Sequence, residues 1–141
     1  MSPRLLRAFV SAYGTERGGE ATAEALAYAW EHWRRIRRME NPAGYLFRVG
    51  QTRTRRRKEG TEALRWKARG VGAERHVEPA LTSLLASLSE AQRVSVVLLY
   101  GYEWTLREVA ELLDVTISTV QTHAERGLAK LRSGLEVSEN D

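Results

Sequence analysis

No cysteine occurs among the 141 residues, which excludes disulfide frameworks, thiolate metal sites, iron–sulfur clusters and cysteine nucleophiles. No apolar run is long. The longest, around Val94 to Tyr100, falls far short of the roughly 20 residues that span a bilayer. The opening Met1-Ser2-Pro3-Arg4-Leu5-Leu6-Arg7 lacks the apolar stretch of a secretory signal. Strand-type alternation of β-branched residues persists nowhere, and there is no internal repeat or low-complexity segment. His32, His76 and His123 are too scattered for a metal site and form no His-Glu-x-x-His pattern. Glu20 and Glu24 stand one helical turn apart, but no second acid–base partner or phosphate loop accompanies them. These absences predict a soluble, cytoplasmic protein that is not an enzyme, with no cofactor, metal, membrane or small-molecule substrate.

What is present is charge, and it is segregated. Lys and Arg number 22 against 18 Asp and Glu, a formal net charge of +4. Residues 34–58 alone carry ten basic side chains and one acid, a net +9, while residues 1–33 carry −1 and residues 59–141 carry −4. A block of one sign inside a nearly balanced chain marks a candidate polyanion-binding surface. A solvated arginine-rich helix without a partner is the plainer alternative, and the mutual repulsion of unneutralised arginines weighs against it.

The periodicity is helical throughout. Leu5, Leu6, Phe9, Val10 and Tyr13 form one apolar stripe that Gly14 interrupts. A second helix is predicted from about Gly19 to Arg38, with Ala23, Leu26, Ala27, Trp30 and Trp33 packing inward. Asn41-Pro42 is a helix start, an N-cap followed by proline at the first helical position. The helix it opens turns Tyr45, Leu46 and Val49 inward and runs into the Arg-rich segment. Residues 59–78 hold Gly60, Gly70 and Gly72 with few aliphatics, and read as a linker with a helical turn around Trp66. Beyond Pro79, Leu81, Leu84, Leu85 and Leu88 make a short amphipathic helix. Ser89 with Gln92, and Thr105 with Glu108, are capping boxes that open two more helices. The first of these buries Val94, Val97 and Leu98 and ends at Gly101. The second buries Val109, Leu112 and Leu113, and Trp104 before its cap reads as a hydrophobic staple. Thr116 caps a last helix that buries Val120, Leu128 and Leu131 and ends near Arg132. The fold class is therefore all-α: two small helical modules joined by a flexible linker. Each has about 55 residues, a size marginally stable alone.

Residues 105–132 have the layout of a helix-turn-helix: a capped helix, a turn at Asp114-Val115, and a second capped helix. Ala110 is small where the helices cross, Val115 is expected to plug the angle between them, and Val120 anchors the second helix. That arrangement leaves Thr116, Ser118, Thr119, Gln121, Thr122 and His123 at the exposed N-terminal end, which in this motif enters the major groove. Hydroxyl side chains at a helix N-terminus suit phosphate contacts, and Gln121 can read a base edge. Arg126 and Lys130, further along, can hold the backbone.

Residues 88–132, opening Leu88-Ser89-Glu90-Ala91-Gln92-Arg93 and closing Arg126-Gly127-Leu128-Ala129-Lys130-Leu131-Arg132, resemble region four of bacterial RNA polymerase sigma factors of the extracytoplasmic-function group. Residues 18–58 resemble region two. Gly19-Glu20 through Trp30 is similar to that family's acidic helix ending in Ala-Trp, and Asn41-Pro42-Ala43-Gly44-Tyr45-Leu46-Phe47-Arg48-Val49 to its Trp-Leu-(Tyr/Phe)-(Arg/Lys)-Ile helix. The resemblance implies a transcription initiation factor that binds core RNA polymerase and directs it to promoter DNA, with an anti-sigma factor as a further candidate partner. It divides the chain into a region-two-like domain at 1–58, a linker at 59–78, a region-four-like domain at 79–135 and a disordered tail at 136–141. Duplex minus-thirty-five DNA would meet Thr116, Ser118, Thr119, Gln121, Thr122, His123, Arg126 and Lys130. Single-stranded minus-ten DNA would meet Asn41, Tyr45, Arg48, Gln51, Thr52, Arg53, Arg55 and Arg56, with Arg38 to Asn41 touching a flipped base. Glu20, Glu24 and Trp30 would meet the polymerase. From the residues themselves, Tyr45 and Phe47 beside the arginines fit a cationic groove with aromatic platforms.

Two other readings fit parts of the pattern. One is a helix-turn-helix regulator acting on duplex DNA without polymerase, since Thr122-His123 also resembles a LuxR-type recognition helix. The other is a sigma-like protein-interaction module that reads no promoter.

Overall fold

The computed structural model describes residues 2–58 and 79–140, and every regular element among them is helical. The linker assigned to 59–78, with its turn around Trp66, lies outside the described residues. Helices α1 (Ser2–Tyr13) and α2 (Thr15–Glu31) are joined by Gly14 alone. Its φ of 86° is backbone that glycine adopts without a steric cost. The two helices then run so close that a Cβ on Gly18 would lie 2.6 Å from the Val10 Cα. Accordingly α2 buries small residues there, Ala21, Thr22, Ala25 and Ala29.

That register corrects the sequence expectation for this helix. It begins at Thr15 rather than near Gly19 and stops at Glu31, with a break at His32 before the single turn α3 (Trp33–Ile36). The bulky members of the expected stripe face outward: Trp30 is 87% exposed and Trp33 45%, and Ala23 and Ala27 are exposed as well. Leu6 of α1 is likewise exposed, leaving Leu5, Ala8, Phe9, Ala12 and Tyr13 as its buried face.

Helix α4 (Pro42–Lys58) starts where expected, the Asn41 Oδ1 accepting the Gly44 N–H at 3.1 Å. It buries Leu46, Phe47, Gly50 and Thr54, while Tyr45 and Val49 are half-buried. Phe47 packs its ring 4.9 Å from that of Phe9, and the buried Arg17 donates to the Thr54 carbonyl at 3.2 Å.

The second half comprises α5 (Pro79–Ser87), α6 (Glu90–Val96), a π-helical turn (Val97–Gly101), α7 (Leu106–Leu113) and α8 (Ile117–Asn140). Both capping boxes form in full, Ser89 with Gln92 and Thr105 with Glu108. Trp104 is buried with Val109, as a staple requires. Helix α8 passes through Gly134 to Asn140, where the sequence pointed to an end near Arg132 and a disordered tail from 136. Gly134 is the place where Leu84 of α5 presses against α8, so its missing side chain serves a close approach and not a helix stop.

The two segments do not bury separate cores. Leu5, Phe9, Ile36, Leu46 and Phe47 belong to the same buried cluster as Val94, Leu98, Trp104, Val109, Leu112 and Val120. A smaller cluster of Leu85, Leu88, Val96, Val97 and Leu131 lies under α5. The amphipathic faces of α1 and α4 thus find their partners on α6 and α7. No helix among the described residues is long and apolar enough to cross a membrane.

Candidate nucleic-acid interface

The helix-turn-helix is formed by α7, α8 and the turn between them. Asp114 takes the left-handed conformation at φ 58° and ψ 48°, one that Asp tolerates better than most residues. The Val115 N–H then reaches the Ala110 carbonyl at 3.0 Å and the Asp114 N–H the Glu111 carbonyl at 3.3 Å. This paired arrangement satisfies the carbonyls at the end of α7. Val115 itself is 38% exposed and does not plug the interhelical angle as expected. Ala110, Val120 and Ala124 are buried instead.

Thr116 caps α8, its Oγ1 accepting the Thr119 N–H at 3.1 Å and lying 2.8 Å from the Thr119 hydroxyl. The Thr122 hydroxyl donates back to the Ser118 carbonyl at 3.1 Å. Ser118, Gln121, Thr122 and Arg126 are exposed on one end of the helix, whereas Thr119 and His123 are half-buried. Lys130 is exposed too, with its ammonium 3.2 Å from the Gln92 side-chain oxygen. Gln121 is therefore the long side chain at the tip that is free to reach a base edge.

Helix α4 presents three faces. The first is the buried one that carries Phe47, which is fully enclosed and cannot offer its ring to a base. The second meets the C-terminal half. There Asn41 donates to the Glu111 carbonyl, Arg48 stands 3.7 Å from the Asp114 carboxylate, and Gln51 and Arg55 both donate to Glu90 Oε2, at 2.9 and 2.6 Å. The exposed Arg48–Asp114 pair contributes little to stability, but the four contacts occupy half of the expected minus-ten residues. The third face carries Tyr45, Thr52 and Arg53, of which Thr52 and Arg53 are exposed. The Arg56 side chain lies outside the described residues.

On this third face a cluster forms that sequence reasoning missed in part. The Tyr28 and Tyr45 hydroxyls are 3.2 Å apart, and Arg35 donates to the Tyr28 hydroxyl at 2.9 Å. The Arg35 guanidinium lies 5.7 Å from the Tyr45 ring centre and that of Arg53 5.3 Å from the Tyr28 ring centre. The His32 ring packs against that of Tyr28, 4.3 Å between centres. The hydrogen bond with Tyr28, followed by the donor effect of the nearby Arg35 guanidinium, lowers the pKa of the Tyr45 phenol below its ordinary value. Spacing along α2 alone could have flagged Tyr28, four residues before His32, but its partner on α4 is visible only in three dimensions.

Of the expected polymerase-facing residues, Glu20 and Trp30 are exposed and Glu24 is half-buried. Glu20, Ala23, Ala27 and Trp30 fall on one outward stripe of α2, at helical spacing.

A capped α7, a left-handed turn and an α8 whose polar tip is exposed make up a helix-turn-helix. Residues 79–131 match the family model for sigma-70, region 4. Over that segment the chain is similar to sigma-70 region 4. No curated protein matches the chain.

Proposed function

We propose that the protein is a sigma factor of the extracytoplasmic-function type, acting in the cytoplasm, in which residues 1–58 serve as region two and residues 79–135 as region four, with 59–78 as the linker. The observation that carries this reading is the joining of a segment similar to sigma-70 region 4 to an arginine-rich helix that leaves Arg53 exposed beside Tyr45. In this account Ser118, Gln121, Thr122 and Arg126, with Thr116, Thr119, His123 and Lys130 around them, meet duplex minus-thirty-five DNA. Tyr45, Thr52 and Arg53 meet single-stranded minus-ten DNA, joined by Asn41, Arg48, Gln51, Arg55 and Arg56. Glu20, Glu24 and Trp30 dock on the polymerase, and an anti-sigma factor is a further candidate partner.

This reading demands a change of shape. Two elements roughly 25 base pairs apart are about 85 Å distant at 3.4 Å per pair, far more than a shared core can bridge. The 20 residues between Lys58 and Pro79 reach at most about 70 Å when extended, which together with the two halves covers the distance. Occupying both elements at once therefore requires the halves to part. A second reading, a helix-turn-helix regulator of duplex DNA acting without polymerase, is favoured by the occupation of Asn41, Arg48, Gln51 and Arg55 by the C-terminal half. Size-exclusion chromatography with core RNA polymerase separates the two. The sigma reading expects co-elution that Trp30→Ala combined with Glu20→Lys weakens at least tenfold. Duplex binding without any co-elution would favour the regulator.

A further inference from the structure

We infer that Ile117, Gln121 and Glu125 form one base-reading stripe along α8, which selects duplexes presenting a thymine, an adenine and a cytosine within about four base pairs. The stripe rests on the duplex-reading role proposed for α8. It adds Ile117 and Glu125 to that role and names the bases preferred.

Helical spacing sets the stripe. Residues four apart lie on one face of a helix, one turn above another. Positions 117, 121 and 125 therefore share one line, and Ser118, Thr122 and Arg126 share the next. All three members of the first line are exposed, Ile117 at 40%. Gln121 and Glu125 also border the same open cleft, of about 350 Å³, together with the exposed Tyr100. At 1.5 Å per residue the stripe is about 12 Å long, the height of roughly three to four stacked pairs at 3.4 Å each.

The two lines differ in what is left to bond. The Ser118 and Thr116 hydroxyls are 3.1 Å apart, and the Thr122 hydroxyl donates back to the Ser118 carbonyl. The second line is thus partly occupied within α8 itself. The Gln121 amide and the Glu125 carboxylate have no hydrogen-bond or ion-pair partner among the described residues.

Base edges in the major groove sort by the same chemistry. A glutamine amide pairs with N6 and N7 of adenine, a carboxylate accepts from the N4 amino group of cytosine, and an aliphatic side chain meets the C5 methyl of thymine. The arginine or lysine that reads guanine is missing from residues 117–125. Arg126, the first such residue of α8, lies on the neighbouring line. A carboxylate facing DNA is repelled by its phosphates. Glu125 therefore penalises every duplex that offers it no amino group, which makes it a selector and not a source of affinity.

Selection from duplexes with a short randomised stretch, by the full chain alone and with core RNA polymerase, tests the stripe. The enriched duplexes should carry the thymine, adenine and cytosine at one fixed order and spacing. Deoxyuridine in place of that thymine removes a single methyl group and should weaken the parent about fourfold, while leaving Ile117→Ala unchanged. Exchanging the cytosine pair should weaken the parent about fivefold. Glu125→Ala should lose that preference and yet bind every duplex more tightly. The stripe is overturned if Ile117→Ala senses deoxyuridine as the parent does, if Glu125→Ala keeps the cytosine preference, or if the parent binds no duplex with or without polymerase. A chain that joins polymerase but shows no such preference keeps the sigma reading and loses the stripe. A chain that shows the preference but never joins polymerase does the reverse.

Discussion

The Arg93 guanidinium donates twice to the Ala12 carbonyl, from Nη2 at 2.6 Å and from Nε at 3.1 Å, joining two residues 81 positions apart. Its remaining nitrogen reaches the Leu88 carbonyl at 3.0 Å. A buried arginine is costly unless its donors are satisfied. Here carbonyls at the C-terminal ends of α1 and α5 satisfy them, and those helix ends carry partial negative charge. Arg93 therefore fastens the first half of the chain to the second.

Removing this tie should be felt by the whole molecule. Arg93→Met leaves the Ala12 and Leu88 carbonyls buried without those donors, and should lower the unfolding free energy by about 3 kcal/mol. Arg93→Lys, a point charge without the planar fork, should recover only part of it. Because the halves share a core, the parent should unfold in urea as one transition, with far-UV circular dichroism and tryptophan fluorescence coinciding. Two resolved transitions in the parent would contradict the shared core.

Glu108 links acid stability to the cap of α7. Its carboxylate accepts the Thr105 N–H at 2.8 Å and pairs with Arg4 at 2.7 Å. The backbone hydrogen bond from Thr105 is the larger cause, and the Arg4 contact the next, of a carboxyl pKa held below the ordinary 4.5. A depressed folded-state pKa stabilises the native protein above the unfolded value, and that contribution is lost as pH falls through the folded one. Thermal unfolding midpoints of the parent should thus drop below about pH 4.5, with Glu108→Gln falling less steeply over the same interval. Parallel curves for the two proteins would exclude Glu108 as a source of the acid lability.

The proposed duplex-reading role of α8 assigns base reading and backbone holding to different residues. Gln121→Ala should cost about 1–3 kcal/mol of discrimination at one base pair of the preferred duplex. Arg126→Ala should instead weaken all sequences alike and reduce the salt slope by about one. Lys130→Ala should have a smaller effect than Arg126→Ala, because its ammonium already has Gln92 as a neighbour. Duplex titrations against a panel of single-base variants, at two salt concentrations, measure all three.

Glu90 and Asp114 hold the basic face of α4 against the C-terminal half. Glu90→Gln with Asp114→Asn releases Arg55 and Arg48 and should raise single-stranded DNA affinity several-fold. The control Glu103→Gln with Glu136→Gln changes the net charge equally at exposed sites on neither α2 nor α4, and should raise it less. Equal gains in the two double variants would reduce the effect to net charge alone.

The elements that could be read from sequence are those set by local chemistry. Ser89 with Gln92, Thr105 with Glu108, Thr116 and Asn41 each bond to backbone within three or four residues, so spacing suffices to find them. The inward face of α2 was misjudged because large rings were weighted as core. In an alanine-rich helix the close approach at Gly18 selects Ala21, Ala25 and Ala29 as the buried face and sends Trp30 outward. Tyr28 escaped notice because its partner, the Tyr45 hydroxyl, lies on another helix. The packing of α1 and α4 on α6 and α7 was not legible either, since an amphipathic stripe states that a face is buried but not against what. Val115 failed as a plug because the left-handed Asp114 turns the chain outward just before it.

The central claim is that this protein directs core RNA polymerase to promoters. Run-off transcription with purified core polymerase, the protein and genomic DNA fragments tests it, with core polymerase alone as the control. The account predicts discrete new transcripts that disappear with Arg53→Ala and Gln121→Ala together. Transcripts identical to those of core polymerase alone, from a protein that binds duplex DNA, would contradict it.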